Sequence, residues 1–237
     1  MARMNAEDLA QSLFDTIDDG ILQGLYKLAS VAPDDVLGDL RSRGRSVAEL
    51  RDLGAVPVEV LDRLVDAYIR EARRSAALSG GAIGLGGWVG LPSGLAHLVV
   101  VLLRLSQRIS LAYGFDYRTS RGEIEMWKAL AGSVGADVDW EGTEAELMRR
   151  LPAVITGTGT FANPLMLKAV QAVVTRVALS SGLRLSRAVP VVGAGSGFVL
   201  NFVHVDRVGK RLKTSYRNRH AISGFDPRGA VEVEIVG

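Results

Sequence analysis

Few residues in this chain have the type and spacing that chemistry demands. The run GTGTFA, residues 157–162, matches the dinucleotide pattern G-x-G-x-x-A. Such a site needs an acid about 20 residues further on to hold the ribose, and no Asp or Glu occurs between Glu146 and Asp206. The run therefore reads as a threonine-glycine loop. No G-x-S-x-G elbow, Walker A loop or H-E-x-x-H helix is present. Asp116, just after Tyr113-Gly114, is the one carboxylate placed to be considered as a general base, partnered by a histidine or serine. Capping a turn is its plainer role. The three histidines, His97, His204 and His220, are scattered, and cysteine is absent. Neither a metal site nor a bound cofactor is expected.

The charges say more, because they are sorted along the chain. Net charge is only +2 over 237 residues, yet Leu165–His220 holds ten basic side chains and a single acid, Asp206. Its densest part, HVDRVGKRLKTSYRNRH, follows the uncharged run AVPVVGAGSGFVLNFV. A basic cluster beside an apolar element suits anionic lipid at least as well as nucleic acid. No recognised nucleic-acid module surrounds it, which disfavours the second partner. Arg207, Lys210, Arg211, Lys213, Arg217 and Arg219 are the candidate binding residues, with Lys210, Arg211 and Lys213 expected on the solvated side. The first 20 residues are acidic and amphipathic and lack the basic and apolar regions of a signal peptide, so export is not expected.

The elements that would carry these residues read as helices. Ser46 with Glu49, Ser120 with Glu123 and Thr143 with Glu146 have capping-box spacing. Pro57 opens a segment whose Val60, Leu61, Leu64, Val65, Tyr68 and Ile69 form one apolar stripe. After Pro92, Leu95, Leu98, Val99, Leu102, Ser106 and Ile109 recur at helical spacing, with His97, Arg104 and Arg108 on another face. Arg104 and Arg108 join the candidates for lipid phosphate or a partner carboxylate. Gly54 and Gly114 look like helix stops. Strand is suggested only at PAVITGTGTF and in the tail AVEVEIVG.

Ser75–Leu103 contains 29 residues without Asp, Glu, Lys or Arg, longer than the roughly 20 that span a bilayer. Seven glycines between Gly80 and Gly94, and Leu91-Pro92-Ser93-Gly94, should break it into two helices, each about 20 Å long. A tight hairpin that packs in the protein or dips into one leaflet is expected, not a full span. Residues 189–205 pose the same choice with Pro190 and three glycines. The expected fold is all-α: a compact helical bundle with two glycine-rich apolar hairpins, one domain over residues 1–220, and a tail, 221–237, that could end in a short strand.

Two blocks carry a family resemblance. The first is VLDRLVDAYIREARRSAALSGGAIGLGGWVGLPSGLAHLVVVLLRLSQRISLAYGFD; the second is PVVGAGSGFVLNFVHVDRVGKRLKTSYR. Their order resembles the EcsC family, bacterial proteins whose namesake is encoded beside an ABC transporter. Pro92, Tyr113, Gly114, Asp116, Pro190, Gly193, Gly197 and Asn201 are the positions that match its motifs. After the Leu-Pro turn the family usually has Ala-Asp where this chain has Ser93-Gly94. The resemblance implies a mostly helical, membrane-associated fold and no established activity.

The function expected is therefore a non-enzymatic, amphitropic protein, peripheral at the cytoplasmic inner face of the cell membrane, that engages anionic lipid or a membrane protein complex such as a transporter. The rival readings are a hydrolase acting on lipid or peptide through Asp116, and a structural subunit of a larger assembly or homo-oligomer. Leucine at Gly193 or Gly197 is expected to damage the fold by separating closely packed backbones.

Overall fold

Apolar residues at helical spacing decide the central elements, and their neighbours assemble around them. The computed structural model describes residues 19–82, 93–136 and 190–222. Among these residues the chain forms six α-helices and no strand: α1 (Asp19–Ala29), α2 (Pro33–Ser42), α3 (Val58–Ala82), α4 (Ser93–Ala112), α5 (Ser120–Val134) and α6 (Pro190–Ile222), with a 3-10 helix at Leu50–Ala55. The possible strands at 152–161 and 230–237, the run 157–162, the capping pair Thr143–Glu146 and Pro92 lie outside the described residues.

Helix α4 is the centre. Leu98, Val99, Leu102, Leu105, Ile109 and Leu111 are buried on several sides of it, as befits a helix with neighbours all round. Helices α3 and α6 lie side by side on it. The stripe Val60, Leu61, Leu64, Val65, Tyr68 and Ile69 is buried throughout, so the period read from the sequence marks the face of α3 that meets the core. Ser75 Oγ lies 3.4 Å from His97 Nε2, and Arg108 reaches Glu71 at 2.7 Å. As numbers rise along α3 they fall along α4, so the two helices run antiparallel, as the two arms of a hairpin must.

The second glycine-rich segment departs from expectation. Residues 190–222 form one continuous helix of 33 residues, where the sequence suggests a hairpin. Pro190 is its first residue, a position where the missing N–H costs nothing. Each glycine inside a helix costs only about 1 kcal/mol against alanine, too little to break an element held by tertiary packing.

Helix starts also shift. Thr119, not Ser120, caps α5, its Oγ accepting from the Gly122 N–H at 3.0 Å. A Cβ on Gly122 would stand 2.0 Å from the Asp116 carbonyl oxygen, so only glycine lets the chain turn this tightly into the helix. Near Ser46, the first helical turn begins instead after Glu49, where the Asp52 carboxylate accepts from the backbone N–H groups of Ala48 and Glu49. Gly54 lies inside that 3-10 turn, whereas Gly114 ends α4 with φ +89°. Tyr117 ties the ends together: its hydroxyl accepts from Val31 N–H at 3.0 Å and donates to Val31 C=O at 2.7 Å.

Candidate functional site

Helices α3 and α6 are joined by an ion-pair seam of regular register. Asp62 meets Arg217 at 3.0 Å, Asp66 meets Lys213 at 2.8 Å and Arg73 meets Asp206 at 2.8 Å. Four residues forward from Asp62 to Asp66 match four back from Arg217 to Lys213; seven more to Arg73 match seven more back to Asp206. The helices are therefore antiparallel and in step along three turns. Gly209 sits inside the seam, where an added Cβ would lie 2.8 Å from Ile69 Cγ1 and 3.2 Å from Leu105 Cδ2. Its missing side chain is what lets α3, α4 and α6 converge.

This geometry redistributes the basic cluster. Lys213 keeps only 20% of its side chain exposed, against Asp66, and does not lie on the solvated side. Arg219 pairs with Glu125 at 3.1 Å and stands over the rings of Phe115 and Tyr216, and Arg211 donates to the Ser133 carbonyl at 3.0 Å. Arg108 joins Glu71 and lies over the Tyr68 ring. Lys210 is 69% exposed and pairs with Asp206 one turn back. Arg104 and Arg207 are exposed and make no ion pair among the described residues. Five of the eight candidates, Arg108, Arg211, Lys213, Arg217 and Arg219, thus hold one helix to another.

The exposed face of α3 adds cations that the clustered pattern in α6 does not reveal. Arg63, Arg70 and Arg74 are all exposed; spacings of seven and four residues set them within about 40° of one another at 100° per residue. They lie opposite the buried stripe, a quarter turn from the seam. Arg207, Lys210 and Thr214 hold the corresponding place on α6. Because both helices turn their core faces to α4 and their seam faces to each other, these residues share one outer surface. By the seam register Arg74 is level with Val205, Arg70 with Gly209 and Arg63 with Tyr216. Their helical spacing opposite an apolar stripe is legible in the sequence and was the available signal for them.

The motif around Tyr113 is a joint. The Tyr113 hydroxyl donates to Asp62 at 2.5 Å, its carbonyl lies 3.0 Å from His220 Nδ1, and Ser110 Oγ donates to the Phe115 carbonyl at 2.7 Å. The end of α4 is thereby tied to the start of α3 and the end of α6. Asp116 takes two hydrogen bonds from the Arg118 guanidinium, at 2.9 and 2.8 Å, and one from the Arg118 N–H. Burial pushes its carboxyl up, but Arg118 outweighs this and holds it below the usual range. A carboxylate so engaged is a poor general base near neutral pH. Pro190 starts α6, and Gly193, Gly197 and Asn201 lie on its helical course. No group of acids and histidines among the described residues could hold a metal ion.

One buried titratable group stands apart from this face. Glu123 lies with Tyr26 and Trp127, whose rings are 6.4 Å apart. Burial raises its carboxyl above the ordinary value of 4.5, against the lowering effect of Trp127 and Tyr26. Above that value the unfolded chain has lost this proton while the folded one retains it, so stability falls as pH rises through the folded pKa. Glu123→Gln is expected to remove this fall: urea midpoints of the variant should gain on the native protein between acid and neutral pH. Parallel pH profiles would refute this.

Among known proteins, the model described as the EcsC protein family matches residues 3–220. No curated protein and no solved structure matches the chain.

Proposed function

The chain belongs to the EcsC protein family, and on that premise we propose that it is an amphitropic binding protein, without catalytic activity, that docks reversibly on an anionic membrane at its cytoplasmic face. The observation that carries this reading is the shared outer surface of α3 and α6. On it Arg63, Arg70, Arg74 and Arg207 are exposed and make no ion pair among the described residues. A cation close to an anionic leaflet contributes about 1 kcal/mol. Four of them would shift partitioning by on the order of a thousandfold, at about 1.4 kcal/mol per tenfold. That suffices for attachment and remains reversible. Among the described residues no helix is long and apolar enough to cross a membrane; a peripheral mode needs none.

The engaged carboxylate of Asp116 weighs against the hydrolase reading. Flotation on phosphatidylcholine vesicles, with and without phosphatidylglycerol, tests the proposal. The protein should float only with the anionic lipid and should be released as salt approaches 1 M, where the Debye length falls to about 3 Å. Flotation indifferent to both lipid charge and salt, or no flotation at all, would overturn it.

A further inference from the structure

The distribution of charge along the helix axes indicates how such a protein would sit. In α3 no acidic or basic residue follows Arg74 up to Ala82; in α4 none precedes Arg104; in α6 none precedes Asp206, histidines aside. Since α3 runs antiparallel to both α4 and α6, these three uncharged stretches gather at one end of the bundle. At 1.5 Å per residue they extend about 12, 16 and 24 Å. One leaflet contributes about 15 Å of hydrocarbon.

The boundary of that end is drawn by arginines. The seam register places Arg207 level with Ala72, within one turn of Arg74. The contacts of His97 with Ser75 and of Arg108 with Glu71 bracket Arg104 at the same height to within about a turn. Arg74, Arg104 and Arg207 are exposed and make no ion pair among the described residues. The two acids nearby are already engaged, Glu71 by Arg108 and Asp206 by Arg73 and Lys210. Val203, one turn into the uncharged part of α6 from Arg207, is 46% exposed. Arg104 is decisive, because it projects from α4 and lies off the shared outer surface of α3 and α6. The cations thus lie on two adjoining sides of the bundle instead of lining one.

Resting on the docking function proposed above, we infer that this uncharged end enters one leaflet of an anionic bilayer, with Arg74, Arg104 and Arg207 as a collar on the lipid phosphates. Guanidinium groups suit that place, because they pair with phosphate in bidentate fashion and their stems can lie along apolar surface while the head stays wet. The bundle then stands end-on: Arg74 and Arg207 of the outer surface reach the phosphates together with Arg104, Arg70 lies about one turn below them, Arg63, about 16 Å below Arg74 along α3, takes no part, and the Tyr113 joint points away from the membrane.

Because the chain has no cysteine, single nitroxide labels at Val203→Cys and Thr214→Cys can measure the depth of each site. The two sites are separated by about 16 Å along α6. On phosphatidylcholine–phosphatidylglycerol vesicles the label at 203 should be accessible to oxygen and shielded from a water-soluble nickel complex, and the label at 214 the reverse. Arg104→Gln should weaken vesicle binding by about as much as Arg74→Gln. Equal depth for the two labels, or binding indifferent to Arg104→Gln, in protein that still floats would overturn the end-on arrangement and leave the docking function standing. Failure of the unlabelled protein to float would overturn both.

Discussion

Replacing Gly209 with leucine is expected to remove much of the folded protein's stability, about 3 kcal/mol or more, and alanine about 1 to 3 kcal/mol. In an exposed helix the change to alanine would be favourable by about 1 kcal/mol, so any loss comes from crowding. The atoms a new Cβ meets belong to Ile69, at 2.8 and 3.2 Å, and to Leu105. All three helices are packed there, with Ile69 4% and Leu105 2% exposed, so neither side chain can swing into solvent. Ile69→Ala alone should also destabilise, by leaving a cavity. Combined with Gly209→Ala, however, it removes the two atoms in the way and the new methyl fills part of the gap. The double variant should therefore lose less than the two single losses added together, with a coupling of about 0.5 to 3 kcal/mol in urea denaturation. Strict additivity would mean that α3 and α6 do not approach closely at this point.

The same juncture shows what the sequence reveals and what it withholds. The stripe from Val60 to Ile69 was legible because burial of a helix face imposes its own period on the residues that form it. Gly114 was legible as a stop, because a left-handed residue is nearly always glycine. The ion-pair seam was not. Lys213 lies 147 positions from Asp66, and nothing local to either residue announces the other. A run of lysines and arginines looks alike whether it faces water or a line of carboxylates on another helix. The start of α5 was misplaced by one residue, from Thr119 to Ser120, for a different reason. Thr119 and Ser120 are both capable caps, and the choice falls to Gly122, whose missing side chain admits the Asp116 carbonyl. Proline and glycines near residue 190 suggest a break because their penalties are local, yet Pro190 falls at the first position of α6, where it breaks nothing, and a helix of 33 residues carries the small cost of its glycines.

These distinctions separate residues that hold the fold from residues free to bind. Reversing Arg74 and Arg207 together to glutamate should abolish flotation on phosphatidylglycerol vesicles while leaving the melting temperature and helical content unchanged. Each reversal removes an attraction of about 1 kcal/mol at the leaflet and adds a repulsion of similar size, so the pair should weaken binding by on the order of a thousandfold. Neither residue has an ion-pair partner to strand among the described residues, so the folded state loses little. Lys213→Glu should do the opposite. It sets a carboxylate against Asp66, where the native nitrogen and oxygen are 2.8 Å apart and the lysine is four-fifths buried. Two like charges at about 4 Å repel by about 4 kcal/mol at an effective dielectric of 20, and relaxation should leave about 1 to 3 kcal/mol of lost stability. Adding Asp66→Lys restores an opposite pair in the same place and should recover most of that loss. If Lys213→Glu instead leaves the melting temperature intact and binding falls, the seam is not what joins the two helices. If Arg74 and Arg207 reversals unfold the protein, their face is part of the core and not the docking surface.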